Sequence, residues 1–458
     1  MCGIVGISNH QEAGRLAYLS LYALQHRGEE GAGIVTYDGR KVYLHKNVGL
    51  VGEVFEKRKI NTLKGYLAIG HNRYSTTGAS TLENVQPFLL NYKDSFLAIA
   101  HNGNLINTLS LRRKLRKQGV RFKSTLDSEV IAQLLLTSSK KRIEDALVDA
   151  LLQVKGSYSL VLLFKEKLIG ARDPYGFKPL CLGRLKDSYI LVSETCALDL
   201  IQARYVREIE PGEIVFIDKN RIRSFKPFPP PSSHSLCIFE YIYFARPDSN
   251  IFGANVYLTR KRLGEELARE HPVKADFVMP IPDSGNYAAL GFAQEANIPY
   301  EIAMVRNHYI GRTFIQPSQF IRNFKVKVKL NPIRDVLKGK RIAIIEDSIV
   351  RGTTSRIRVK TLREAGAREV HMRVSCPPLR FPCFYGIDFP TKKELIASEH
   401  SIEEIRKFIG VDSLKYLSLE GMLNSMLLPK ERFCTACFNG RYPTEVKKQK
   451  EKQRVLNS

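Results

Sequence analysis

The 458-residue chain contains no apolar run that approaches the ~18 residues a membrane-spanning helix needs. Its opening, MCGIVGIS, lacks the basic region, apolar core and cleavage site of a secretory signal. No membrane partner is expected, and the expected compartment is the cytoplasm. No internal repeat or low-complexity segment stands out. There is no P-loop of the form Gly-x4-Gly-Lys-Ser/Thr, no zinc-finger spacing, no RNA-recognition signature and no regular series of stacking aromatics. Acidic residues are in deficit: 46 Asp and Glu stand against 71 Lys and Arg, a formal net charge of +25. Such a balance suits nucleic acid, or a surface built around anionic, phosphorylated substrates. The basic residues are dispersed, and their densest block, KKQKEKQR, reads as part of a solvated tail over 446–458. With no nucleic-acid module present, phosphorylated substrates are the preferred reading and no nucleic-acid partner is expected.

The sequence is organised around RIAIIEDSIVRGTT, from Arg341 to Thr354. The apolar run up to Ile345 reads as a buried parallel strand. Two acids follow, Glu346 and Asp347, then Ser348, Arg351, Gly352, Thr353 and Thr354, with a helical pattern from about Ser355. Backbone N–H groups at such a turn and helix start bind phosphate. The carboxylates can accept hydrogen bonds from sugar hydroxyls or hold Mg²⁺. An ordinary Ser/Thr-capped turn shares the hydroxyls but has no need of the acidic pair. The run resembles the motif by which phosphoribosyltransferases bind 5-phosphoribosyl 1-pyrophosphate (PRPP). DSIVRGTTS is similar to the form found in glutamine PRPP amidotransferases. That resemblance implies that Asp347 binds the ribose hydroxyls with Glu346 beside it, both near Mg²⁺, and that Ser348, Gly352, Thr353 and Thr354 cradle the 5-phosphate. The family usually has an Asp pair where this chain has Glu346, whose longer side chain is expected to alter metal or PRPP contacts.

Eight cysteines occur, and in an intracellular enzyme they are candidates for catalysis or metal binding rather than disulfides. Removal of Met1 would leave Cys2 with its thiol and its own α-amino group on one residue. An α-amine has a pKa of about 7.7–8.0 and can act as general base for the adjacent thiol. A buried Cys before a tight Gly is the plain alternative. Four polar clusters then recur at the ends of apolar strands or the starts of helices: QHRGEEGAG from Gln25, GHNRYSTTG from Gly70, HNGNL from His101 and LDSE from Leu126. Singly, Asn102 could be a turn residue, Asp127 a helix cap and Arg73 a surface ion pair. Together the clusters resemble, in order, class II glutamine amidotransferases, which are N-terminal nucleophile hydrolases, over about residues 2–220. The resemblance implies that Cys2 attacks the glutamine amide, with Asn102 and the Gly103 N–H as oxyanion hole. It also implies that Arg73 binds the glutamine α-carboxylate, Asp127 its α-ammonium, and that Arg27 supports the loop beside the nucleophile. Arg172 and Asp173 read as structural, and Cys181 and Cys196 as small core residues.

FKPFPPPSSHS, Phe225 to Ser235, carries four prolines and three serines and reads as an interdomain linker. Beyond it, DFVMPIPDSG is a strand ending in a turn, a ligand position in an open α/β sheet. By resemblance Ser284 contributes to Mg²⁺ and pyrophosphate binding, and Asp283 and Gly285 shape the turn; a plain helix cap is the alternative for Ser284. The stretch from Arg306 to Leu330 is long, basic and aperiodic, so it reads as a functional loop. By resemblance it closes over PRPP, with Arg306, Arg312 and Lys325 as phosphate contacts. Cys237, Cys383, Cys434 and Cys437 form a second set, the last two as a CxxC pair. Spacing alone leaves structural Zn²⁺ and an iron–sulfur cluster open. Their flanks resemble the cluster-bearing branch of glutamine PRPP amidotransferases, which implies [4Fe–4S]. That branch commonly has an N-terminal propeptide; here methionine removal is the expected maturation. Cys376 reads as buried and inert.

The expected fold is an α+β four-layer αββα sandwich of the N-terminal nucleophile hydrolase type over 2–224. After the linker at 225–235 comes an α/β type I phosphoribosyltransferase domain with a parallel sheet over 236–445, carrying the cysteine set. The family implies a glycosyltransferase with glutamine and PRPP as substrates, Mg²⁺ and [4Fe–4S] as cofactors, and feedback by purine nucleotides. It also implies a homo-oligomer, dimer or tetramer. Two rivals remain: an amidotransferase with another acceptor, and a non-catalytic basic protein built on this fold.

Overall fold

The computed structural model describes residues 1–74, 81–92, 95–219, 221–307, 330–389 and 391–445. Arg312, Lys325 and the basic tail lie outside the described residues. Strands rich in small and branched apolar residues build two antiparallel sheets in the first half, one of seven strands and one of six. Gly3–Ile7 lies inside the first, between Leu67–Arg73 and Ser188–Val192. Ser95–Leu105 and Gly156–Phe164 pair inside the second, with Asn102 opposite Ser159 and Gly103 opposite Tyr158.

Alternate residues of these strands point to opposite faces, and each face has its own core. Ile4, Ile69, Ala98, Val161 and Leu191 fill the space between the sheets. Val5, Ile34 and Val192 face the helix Ala13–Ala23 through Ala17 and Leu21. Leu97, Leu160 and Ile169 face the helices Asp127–Thr137 and Ile143–Gln153 through Val130, Ile131 and Leu147. The layers therefore run helix, sheet, sheet, helix, the expected sandwich.

The second half is built on a four-stranded parallel sheet in the order Phe277–Pro280, Arg341–Glu346, Glu369–Val374, Ser413–Tyr416. Phe277–Pro280 and Arg341–Glu346 are mostly apolar and buried, as strands covered on both faces are, whereas Glu369–Val374 and Ser413–Tyr416 carry polar residues between their apolar ones. Val256–Glu270, capped by the Asn255 side chain accepting from the Leu258 N–H at 3.0 Å, packs along Asn286–Ala296. The two helices approach so closely that a Cβ on Gly264 would lie 1.8 Å from the Ala288 carbonyl oxygen. One on Gly291 would lie 2.0 Å from that of Lys261. Among the described residues no helix is long and apolar enough to cross a membrane.

The halves meet through specific contacts. The Phe177 and Tyr385 rings stack with centroids 4.2 Å apart. Asn104 Nδ2 donates to the Phe384 carbonyl and Ser157 Oγ to that of Tyr385, each at 2.8 Å. The Asn250 N–H donates to Thr195 Oγ1, also at 2.8 Å.

Because the obstacle at Gly264 is backbone, Gly264→Ala is expected to cost about 1–3 kcal/mol of stability, read as a lower urea midpoint. An unchanged midpoint would mean that the two helices part easily.

Candidate active sites

At the first site, Cys2 sits at the end of the Gly3–Ile7 strand. Asn72, in the next strand, accepts from the Gly3 N–H at 2.7 Å and donates to the Leu24 carbonyl at 2.6 Å. A Cβ on Gly3 would lie 2.2 Å from Asn72 Oδ1, so a side chain there would displace the Asn72 amide from its hydrogen bonds. The Cys2 thiol lies 3.6 Å from the Tyr74 carbonyl oxygen and 3.5 Å from its nitrogen. Burial pushes that thiol up, while the chain terminus and the Tyr74 backbone pull it down. Met1 is itself buried, its sulfur 2.6 Å from the Lys178 ammonium.

Arg27 is fully buried behind Cys2. Its Nε donates to the Cys2 carbonyl at 2.9 Å, and its two terminal nitrogens meet Glu194 and Glu240. Burial alone would lower its pKa; Glu240 and Glu194 outweigh that and raise it. Burial would likewise raise the Glu194 carboxyl, but His26 and Arg27 hold it well below the ordinary range. Arg73 ends its strand, 3% exposed, and its carbonyl is pressed by Gly28, where a Cβ would lie 2.5 Å from that oxygen.

On the facing sheet, Asn102 is 0% exposed and neither end of its amide has a hydrogen-bond partner among the described residues. Leaving such a group buried costs about 1–3 kcal/mol, which fits a donor reserved for a ligand atom. A Cβ on Gly103 would lie 2.1 Å from the Ser157 carbonyl oxygen, so the strand tolerates only glycine at that position. On its other side comes Gly386 (φ +105°), whose own Cβ would lie 3.2 Å from the Gly103 carbonyl. Asp127 opens its helix, with Oδ2 accepting from the Leu105 N–H at 2.9 Å and Oδ1 from the Ser128 N–H at 2.8 Å. His101 Nδ1 lies 3.4 Å from Oδ1. Burial would raise the Asp127 carboxyl; His101 and these N–H groups bring it below the usual range. The carboxylate therefore anchors the end of the Asn102–Gly103 strand from behind.

At the second site two turns face each other at the edge of the parallel sheet. A Cβ on Gly285 would lie 2.4 Å from the Ile345 carbonyl oxygen, so the Pro282–Gly285 turn lies directly against the end of the neighbouring strand. Ser284 Oγ donates to one oxygen of Asp347, and Ser348 Oγ to the other at 2.5 Å. Gly352 takes the left-handed conformation (φ +73°) that turns the chain into the helix Thr353–Glu364. The helix starts two residues before the sequence pattern does, because this turn already aligns Thr353 and Thr354, both exposed. Glu346 is buried and paired with Arg358 of that helix at 2.7 Å. Burial, opposed by Arg358 and reinforced by Asp347, pushes its carboxyl up to about 7. Arg306 pairs with Asp283, both about half exposed.

The four cysteines line one cavity with Phe177, Phe239, Pro382, Tyr385, Ile387 and Tyr442. Cys237 and Cys434 are partners in a short parallel bridge. Among the described residues no three Cys, His, Asp or Glu side chains gather closely enough to hold one metal ion. The thiols line an apolar space, and soft thiolates of this kind suit an iron–sulfur cluster or structural Zn²⁺.

Sequence reasoning missed Glu194 and Glu240 as the partners of Arg27, and Arg358 as that of Glu346. The available signal was an acid isolated in an apolar stretch, as in LVSETC and IFEYIYF.

A cysteine at the start of its strand, a buried amide without a partner among the described residues and a guanidinium-braced backbone on an αββα sandwich fit a glutamine amidotransferase. The family described as glutamine amidotransferase domain matches residues 71–200. The chain is 50% identical to the amidophosphoribosyltransferase of Methanocaldococcus jannaschii, over 97% of this chain and 98% of that one. It is 48% identical to that of Bacillus subtilis, over 97% and 94%. The solved B. subtilis glutamine PRPP amidotransferase, complexed with ADP and GMP, superposes with a TM-score of 0.92 at 47% identity, covering 98% of each chain. The chain belongs to the amidophosphoribosyltransferase family.

Replacing the orphaned amide by an apolar group of similar shape, Asn102→Leu, is expected to leave unfolding stability equal or raise it by up to about 1–3 kcal/mol. Clear destabilisation in urea titration would show that the amide has a structural partner.

Proposed function

We propose that the chain hydrolyses glutamine at Cys2 and passes the ammonia to C1 of PRPP, giving 5-phosphoribosylamine, pyrophosphate and glutamate, the first step of purine synthesis. The buried, unpartnered Asn102 amide carries this reading, since it matches a donor kept for an oxyanion. While Met1 is attached, the Cys2 nitrogen is a peptide nitrogen and cannot accept a proton, so the chemistry requires Met1 to be removed. The freed amine then takes the thiol proton, and Sγ attacks the amide carbon. Charge develops on the carbonyl oxygen, and Asn102 Nδ2 and the Gly103 N–H receive it. The C–N bond breaks, ammonia leaves with the proton, and water hydrolyses the thioester to glutamate. Arg73 binds the substrate carboxylate. Asp127 remains available to its ammonium through the lone pairs that Leu105 and Ser128 do not use.

At the second site neutral ammonia displaces pyrophosphate from C1, and enclosure keeps it from being protonated by water. Asp347 and Glu346 hold the ribose hydroxyls, Ser348, Gly352, Thr353 and Thr354 take the 5-phosphate, and the 282–285 turn takes the pyrophosphate. Asp347, Glu346 and Ser284 offer the hard oxygen donors that suit Mg²⁺, which when bound neutralises the leaving pyrophosphate. Arg306 and Arg312 are further phosphate contacts; to serve, Arg306 has to exchange Asp283 for the ligand. The four-cysteine cavity takes a [4Fe–4S] cluster as a structural group. The ADP and GMP in the B. subtilis complex support purine nucleotides as feedback inhibitors of this chain. A homo-oligomer, dimer or tetramer, in the cytoplasm completes the reading.

Cys2→Ala is expected to abolish pyrophosphate release with PRPP, Mg²⁺ and glutamine, and to keep release with ammonia. Loss of both from a folded protein would refute this division of labour. Protein purified without oxygen is expected to be brown and to contain iron and sulfide; a colourless zinc protein would overturn the cluster.

A further inference from the structure

The segment Glu240–Phe244 is a π-helical turn early in the second half of the chain, a conformation frequent at functional sites. It reaches both supports of Cys2. Through Arg27, Glu240 meets the backbone carbonyl of the nucleophile. Through its ring, Phe244 packs edge-on against Tyr74 at 5.7 Å, and the Tyr74 backbone holds the Cys2 thiol.

The geometry of the arginine makes Glu240 more than a counter-charge. A guanidinium is planar, so fixing its terminal nitrogens fixes the direction in which Nε points. Glu240 takes both terminal nitrogens in a fork, Nη1 at 3.1 Å and Nη2 at 2.8 Å. Glu194 takes only Nη1, and shares its carboxylate with His26, the Ser249 hydroxyl and the Arg246 N–H. The plane of Arg27, and with it the 2.9 Å bond to the Cys2 carbonyl, is thus set from the other half of the molecule. The turn is itself held, since Arg260 donates to the Tyr241 and Ala245 carbonyls at 2.7 and 2.8 Å.

We propose that Glu240 is a positioning residue for glutamine hydrolysis: across the interface, it orients Arg27 and thereby fixes the backbone of Cys2. The proposal rests on Cys2 being the nucleophile, and it adds that the nucleophile's alignment is supplied by the phosphoribosyltransferase half. Glu240 touches no substrate, so its effect falls on the alignment of Sγ with the amide carbon and spares substrate binding.

The experiment compares Glu240→Gln and Glu240→Asp, alone and combined with Arg27→Lys, in the full-length processed enzyme. Because misplacement by about 1 Å can cost ~10²-fold, Glu240→Gln is expected to lower glutamine-dependent kcat by about tenfold or more. KM for glutamine and ammonia-dependent turnover are expected to stay within about twofold. Glu240→Asp keeps the charge and shortens the reach, so it is expected to lose part of the same kcat. Since Glu240 acts through Arg27, the double variant should lose no more than Arg27→Lys alone. Losses that add in the double variant, a rise in KM with kcat preserved, or equal loss with glutamine and ammonia would each overturn the proposal. If Glu240→Gln does not fold, Glu240→Asp and its double variant decide by the same criteria. Failure of the nucleophile assignment itself would appear separately, as glutamine turnover surviving in Cys2→Ala.

Discussion

An arginine shut away from water has to find its counter-charges inside the protein. Arg27 finds one in each half of this chain, Glu194 in the first and Glu240 in the second, and spends its remaining inward donor on the backbone of Cys2. Removing one partner of such a group is costly, because the charge left behind cannot be hydrated. The sandwich, the linker and the opening turn of the second half must therefore close together. A sandwich folded alone would leave Arg27 with Glu194 only, and would leave Asn104 and Ser157 without the carbonyls of Phe384 and Tyr385 that they reach across the interface.

The second site follows a different logic. Its donors and acceptors satisfy one another at the mouth of the site: Ser284 and Ser348 turn their hydroxyls onto Asp347, and Arg306 rests on Asp283. Those are exchangeable partners. A phosphorylated ligand offers the same hydroxyls and guanidinium a stronger acceptor, whereas the partners of Arg27 are buried and fixed. One site is held rigid from outside its own domain, and the other can rearrange around what it binds.

This contrast also explains what the sequence could tell. The αββα sandwich and the parallel sheet were legible because the polar clusters at strand ends are local, and they carry the family resemblance that implies both. RIAIIEDSIVRGTT disclosed its strand, its turn and its helix within fourteen residues. What stayed hidden were pairs whose members are far apart in the chain: Arg27 with Glu240, Asn104 with Phe384, Ser157 with Tyr385. Their meeting depends on how two domains close, which no spacing rule encodes. Glu346 shows an intermediate case. Its extra methylene stood out as a departure from the family pattern, but its partner Arg358 lies about one and a half turns along the next helix and became visible only with the helix in place. The start of that helix was read late for a local reason, since Gly352 had already turned the backbone before the periodic residues began.

The contact between Gly386 and Gly103 has one more consequence. Ordinary interfaces are cushioned by side chains, which change rotamer and absorb small displacements. Here two glycines meet and backbone lies against backbone, one belonging to the loop that lines the cysteine cavity and the other to the strand that carries Asn102. With no side chain between them, a change in the shape of the cysteine loop would meet the strand that carries Asn102 directly.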